Sequence, residues 1–263
     1  AEQSGFKIGD KIYAVNGENC KGKSLNDVRT FIVGDLGTKV NITVLRGDET
    51  IDLTAERVEV KQSTVTGGVF EGNIGYISIS TFGSTTSEEF AAMLDDFRSK
   101  GVKKIILDLR NNGGGLVDTC VKMADLILPE GVVVSMKDKN GNVTEEKIDG
   151  EYYDVPMAVL VNGYSASASE ILAGAIRDYK AGTLVGTKTF GKGIVQSSLE
   201  FMDGSGMKVT TARYYTPSGE CIHGIGIEPD VEVELDEEAA QEVVIPEEKD
   251  NQLQKAVEVV KEK

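Results

Sequence analysis

The sequence predicts an α/β protein with a smaller module in front, and three observations carry that reading. From Ile74 onward, strand-like apolar segments alternate with segments whose apolar residues recur at helical spacing, an order that implies parallel strands. The 263 residues are 40% apolar, enough to bury one large core and a second small one. Ahead of Ile74 the order differs: a strand, a helix, then two strands around a tight turn.

Each element follows from local chemistry. Gly9–Gly17 alternates apolar and polar residues into an Asn16-Gly17 turn, a strand with a hairpin-type end. Ser24 is placed to cap a helix through Val33, and Lys39–Val60 reads as two strands around Arg46-Gly-Asp48. Ile74–Ser80 is a strand, Ser87–Phe97 a capped amphipathic helix, and Lys104–Leu109 a buried strand. Leu116–Leu128 is predicted as the next helix, Pro156–Val161 as a second buried strand, and Ala168–Tyr179 as a third helix. The final third turns to β structure: Asp203-Gly-Ser-Gly206 separates Ile194–Phe201 from Met207–Tyr215 as a hairpin. Asn251–Lys263 closes the chain as an amphipathic helix.

Charge and cysteine usage narrow the function classes. Lys and Arg number 28 against 43 Asp and Glu, a net charge of -15, which argues against nucleic acid and anionic membrane surfaces as partners. Much of the acidity sits in Val231–Asp250 and reads as a solvated tail. Cys20, Cys120 and Cys221 are too scattered for a zinc site or a disulfide framework and read as packing residues. No metal or cofactor is expected. No apolar run approaches the roughly 18 residues that a membrane span needs, and no segment reads as a signal peptide. Ala1–Phe6 already reads as the interior of a domain, so an upstream membrane anchor or oligomerisation segment is compatible with this chain.

The chemistry concentrates in Asn162–Glu170, which opens a helix, and Phe190–Gln196, which opens a strand. The first offers three serines, at 165, 167 and 169, and the second an isolated lysine between glycines, the parts of a serine nucleophile with a lysine base. Ser167 with Glu170 also fits a capping box, the plain structural role. A serine at a helix start suits catalysis too, because the next amide points at an incoming carbonyl and the helix dipole favours negative charge. Gly186–Lys192 meets most of a phosphate-binding loop, but Gly193 stands where the magnesium-binding hydroxyl belongs. As a base, Lys192 must lose its proton, which asks for apolar surroundings that Phe190, Ile194 and Val195 are placed to provide. Alternation on a strand puts residues 192, 194 and 196 on one face. Gly113-Gly-Gly115 suits a nucleotide loop or an oxyanion hole, and Asp118 breaks the dinucleotide fingerprint. His223 is the single imidazole, so a Ser-His-Asp triad must use it or fail; it reads as structural.

Ser165-Ala-Ser-Ala-Ser-Glu170, Phe190-Gly-Lys-Gly193 and Leu109-Arg-Asn-Asn-Gly-Gly-Gly-Leu116 together resemble the carboxyl-terminal processing peptidases, also called tail-specific proteases. The resemblance covers nearly the whole chain and implies a partial PDZ-like module over 1–58 and a crotonase/ClpP-like α/β peptidase core over 59–263. The module's element order is similar to the latter half of a PDZ domain, without the early strand and loop that capture a terminal carboxylate. It implies Ser167, 25 residues before the lysine, as nucleophile, Lys192 as general base and Gln196 as the residue holding the lysine. The oxyanion hole would pair the Ala168 amide with that of Gly114 or Gly115. Implied further are polypeptide substrates bound by their C-termini and a location in the bacterial cell envelope or outside the cell. The rival reading is a non-proteolytic carrier of apolar, retinoid-type ligands on the same core.

Overall fold

A computed structural model describes residues 4–59, 63–242 and 245–262. Val60 and Lys263, the predicted ends of two elements, lie outside the described residues, as do Val243 and Val244 of the acidic segment. The chain divides into two compact units, Ala1–Gln62 and Ser63–Lys263.

The first unit is a four-stranded antiparallel sheet in the order β2-β1-β3-β4, built from β1 (Lys11–Val15), β2 (Glu18–Asn19), β3 (Lys39–Arg46) and β4 (Glu49–Glu56). Asn16 and Gly17 take positive φ between β1 and β2, as an Asn-Gly hairpin turn requires. Helix α1 (Leu25–Ile32) starts on a full capping box, with the Asp27 amide on Ser24 Oγ and Asp27 Oδ2 accepting from the Ser24 amide at 3.1 Å. Val15, Val40, Ile42 and Val44 form its small core.

The second unit holds two sheets. The larger has the order β14-β11-β10-β7-β6-β5 and comprises β5 (Val65–Phe70), β6 (Ile74–Ile79), β7 (Lys104–Asp108), β10 (Met157–Val161), β11 (Thr183–Gly186) and β14 (Val231–Glu232). All its neighbouring pairs are parallel except β5 with β6. The smaller, antiparallel sheet runs β12-β13-β8-β9, from β12 (Ile194–Glu200), β13 (Gly206–Tyr215), β8 (Gly131–Asp138) and β9 (Val143–Ile148).

The parallel strands are apolar at successive positions because both faces are covered. Ile105, Leu107, Val159 and Val161 belong to one core, with α2 (Thr86–Ser99), α3 (Val117–Asp125) and α4 (Ala168–Asp178). Ile106, Ala158 and Leu160 belong to a second core, against Leu253, Ala256 and Val260 of α6 (Asn251–Lys261), which follows the short α5 (Glu237–Ala240). Every residue of α4 from Ala168 to Ile176 is buried, so its start is held by packing on all sides. Helix α2 begins at Thr86, one residue earlier than predicted, and Thr85 makes no side-chain cap bond. Among the described residues no helix is long and apolar enough to cross a membrane.

Candidate active site

Three loops leave the carboxyl ends of adjacent parallel strands, the place where α/β sheets present ligand sites. After β7 comes the glycine run, after β10 the serine run, and after β11 the lysine run. Hydrogen bonds stitch the three together. Ser165 Oγ donates to the Leu109 carbonyl (2.8 Å), Ser169 Oγ to the Asn112 carbonyl (2.8 Å), and the Phe190 amide to the Ser165 carbonyl (3.1 Å). Asn112 is fully buried; its amide group donates to the Ile79 carbonyl and its Oδ1 accepts from the Gly114 amide at 2.9 Å.

These bonds separate the three serines. Ser165 and Ser169 are buried with hydroxyls committed to backbone carbonyls. Ser167 is half-buried and forms the expected capping box with Glu170, whose carboxylate accepts from the Ser167 amide at 2.9 Å, and its hydroxyl donates to no carbonyl among the described residues. Its backbone sits at φ 58, ψ -115, a conformation a side-chain-bearing residue holds at a cost of about 1–3 kcal/mol. That turn sets Ser167 at the start of α4, beside the amide of Ala168.

Gly114 closes against this turn. A methyl group on it would lie 2.7 Å from the Ala166 carbonyl oxygen, 2.8 Å from Ser167 Cβ and 2.9 Å from the Ala168 nitrogen, and its φ is +98. The Gly114 amide is spent on Asn112, whereas the amides of Gly115 and Ala168 have no hydrogen-bond partner among the described residues. Gly115 is held by main-chain pairing of its neighbours with Phe82: the Phe82 amide meets the Gly114 carbonyl at 3.0 Å, and the Leu116 amide meets the Phe82 carbonyl at 2.8 Å.

Glu170 joins the serine and lysine segments. Its side chain is fully buried, and its two oxygens accept from four donors: the Ser167 amide (2.9 Å), the Lys192 amide (2.8 Å), the Gly191 amide (2.7 Å) and Thr189 Oγ1 (2.6 Å). No cation pairs with it among the described residues. Lys192 is half-buried, and its ammonium has no partner among the described residues, Ser167 Oγ included. Gln196 is exposed and makes no side-chain bond to Lys192, although both belong to the same segment. Phe190 is 64% exposed, so it does not supply the apolar cover expected of it; Ile194 and Val195 are half-buried. His223 is exposed, and its main chain packs against Gly193. Among the described residues no cluster of His, Cys, Asp and Glu could hold a metal.

Residues 73–233, more than half of the chain, match the family model described as Peptidase family S41. The chain belongs to that family. Ahead of the S41 core, residues 1–46 match the PDZ domain model. The chain is 41% identical over 238 residues to the probable CtpA-like serine protease of Staphylococcus aureus, covering 89% of this chain and 48% of that protein. The corresponding protein of Staphylococcus saprophyticus is 40% identical over 258 residues, 96% of this chain and 52% of that one. The chain thus spans about half the length of the curated relatives it matches. Among solved structures it is similar to a photosystem II D1 C-terminal processing protease, with a TM-score of 0.63 and 34% identity over 94% of this chain and 68% of that one. A putative S41 protease from Bacteroides fragilis shares the fold, with a TM-score of 0.69 and 18% identity over 100% of this chain and 75% of that one.

The S41 core also depends on residues that sequence reasoning passed over. Arg110, at the root of the glycine loop, is held by Asp108 (2.6 Å), Asp250 (2.8 Å) and Gln252 (3.0 Å). Asp250 also caps α6, accepting from the Leu253 amide at 2.9 Å. Burial lowers the Arg110 pKa, but the hydrogen bonds it donates to the two aspartates outweigh it and hold the guanidinium charged. Burial and then Asp108 push the Tyr76 phenol up.

Proposed function

We propose that this chain is the catalytic part of a serine endopeptidase that cuts polypeptides near their C-termini. One observation carries the reading: of the three serines, only Ser167 has a hydroxyl that donates to no carbonyl among the described residues, and it stands at a helix start beside the unpartnered amide of Ala168, in the turn that Gly114 closes against. In the reaction Ser167 Oγ attacks the scissile carbonyl carbon and its proton passes to neutral Lys192 Nζ. The amides of Ala168 and Gly115 receive the oxyanion. The lysine then protonates the leaving amine, and water releases the acyl group by the same steps in reverse roles. The unpartnered Lys192 side chain is free to reach Ser167 when substrate closes the site. Gln196 would join it only after turning inward from its exposed position.

The finer expectations belong to the same reading. The core follows the crotonase/ClpP plan, polypeptide substrates are bound by their C-termini, and the protein works outside the cytoplasm. The likeness to a C-terminal processing protease supports the second. Casein and a fluorophosphonate probe test the activity directly. We expect casein fragments and a probe adduct that mass spectrometry maps to Ser167, with both absent in folded Ser167→Ala protein. An adduct on Ser165 or Ser169, or full cleavage by Ser167→Ala, overturns the nucleophile. No cleavage with tight retinoid binding favours a carrier.

Gly114→Ala is a sharper test of the oxyanion geometry. The added methyl would meet Ser167 Cβ and the Ala168 nitrogen at under 3.0 Å, in a backbone conformation L-residues avoid. Casein cleavage should fall at least about 100-fold, the scale of losing one oxyanion donor. Near-native turnover in this variant would mean that Gly114 does not border the reacting carbonyl.

A further inference from the structure

We propose that Arg213 and Lys137 form a subsite for a carboxylate of the polypeptide substrate, an inference that rests on the endopeptidase reading. Arg213 of β13 faces Ile194 of β12 on one side and Lys137 of β8 on the other. Two cations directly opposite on paired strands repel one another and destabilise the sheet. Neither has an ion-pair partner among the described residues, although Lys147 on the neighbouring β9 is paired with Glu145 at 3.0 Å. An arrangement that weakens the sheet and is left uncompensated suits a ligand that brings the missing charge.

The surroundings fit that ligand. Arg213 and Lys137 line a surface hollow of about 370 Å³ with Lys139, Thr210 and Thr211, which add a third cation and two hydroxyls. The one acid in the hollow, Asp138, has its carboxylate engaged by the Asn140 and Asn142 amides and the Asn142 side chain, at 2.8–2.9 Å. Asp138 keeps its charge but forms no ion pair with Arg213, Lys137 or Lys139 among the described residues. An arginine fork grips a carboxylate through two bonds while a lysine adds a point charge. Across a chain of net charge -15, this patch reverses the local sign, and ions screen the wider repulsion beyond about 8 Å.

Position ties the patch to the reaction. Lys192 precedes Ile194 by two residues, at most about 7 Å of chain, and β13 lies about 4.8 Å from β12. The register slips between Val195 and Gln196, leaving Thr211 as an extra residue in β13 two positions from Arg213. Such bulges bend a strand and re-aim its side chains beside active sites. With Lys192 drawn to Ser167, an extended substrate would bring a carboxylate a few residues from the scissile bond towards Arg213.

The carboxylate can be an Asp or Glu side chain or the chain's own C-terminus, and the test distinguishes them. A peptide from the casein sequence is made in three forms: one bearing a Glu with an amidated end, one neutral with a free end, and one neutral and amidated. Binding of each, fluorescently labelled, is measured on Ser167→Ala protein by anisotropy, and cleavage on the active protein. We expect one or both carboxylate forms to bind at least about fivefold tighter than the neutral one, with the margin shrinking as salt rises. Arg213→Gln with Lys137→Gln should remove that margin, and Arg213→Lys should retain part of it. Equal binding of all three forms, or equal losses on all three in the double variant, overturns the subsite. Binding that follows the carboxylate without cleavage by the active protein keeps the subsite and instead rejects the endopeptidase reading.

Discussion

Lys192→Arg is expected to lower casein cleavage by roughly 10² to 10⁴, the usual contribution of a general base, while the protein folds as before. Arginine keeps the positive charge and can still clamp an anion, but it does not give up its proton in a protein. The two residues therefore differ in the one property a base needs. The main-chain bond from residue 192 to Glu170 at 2.8 Å does not involve the side chain, so the substitution leaves the loop's anchor in place. Lys192→Ala should be as inactive as Lys192→Arg. Circular dichroism confirms folding, and initial rates on labelled casein give the loss. Near-native turnover with arginine would make Lys192 purely electrostatic and leave the base to another residue.

Glu170→Gln is expected to lower kcat at least tenfold and to cost several degrees in Tm. The carboxylate collects four donors in a fully buried place. A side-chain amide has only one acceptor oxygen, so its NH₂ would be set against two donors that then go unpaired. Each buried donor left without a partner costs about 1–3 kcal/mol, and a Tm shift of about 2–8 °C per kcal/mol follows for domains of about 60–250 residues. The kinetic loss has a different origin. Glu170 joins the main chains of Ser167 and Lys192, and a misplacement of about 1 Å at a reacting group can cost 100-fold. A positioning role predicts a fall in kcat with little change in KM; a merely structural role predicts lower Tm with unchanged kcat in the folded fraction. The second result would remove Glu170 from the mechanism.

The parallel core was legible because its strands are short apolar runs that no other element explains: Ile105, Ile106 and Leu107 fill both faces of the sheet. The β12–β13 hairpin announced itself through Asp203-Gly-Ser-Gly206. Strand β9 did not, because Glu145, Glu146 and Lys147 give it the polarity of a loop and only pairing across the sheet makes it a strand; β8 carries a β-branched signal in Val132–Val134 but ends in Lys137-Asp138. The four-residue β11 is too short to show a period. At the site, the spacing of Ser167 and Lys192 could be read from the chain, but the commitment of Ser165 and Ser169 to carbonyls could not, since it depends on the loop after β7. Glu170 was read as a helix cap because carboxylates are seldom buried without a cation. Phe190 and Gln196 show the converse error: alternation predicts a face, and what covers that face is a tertiary matter.

The link from Arg110 to Asp250 has a bearing on when the site is complete during synthesis. Residues 250–261 are made after every other part of the site, and the loop that carries Gly114 and Gly115 is rooted on an arginine that waits for them. A ribosome-bound chain lacking that stretch holds Ser167 without its finished surroundings. Completion of the site is then timed by synthesis: the glycine loop gains its anchor only once residues 250–261 have emerged and docked.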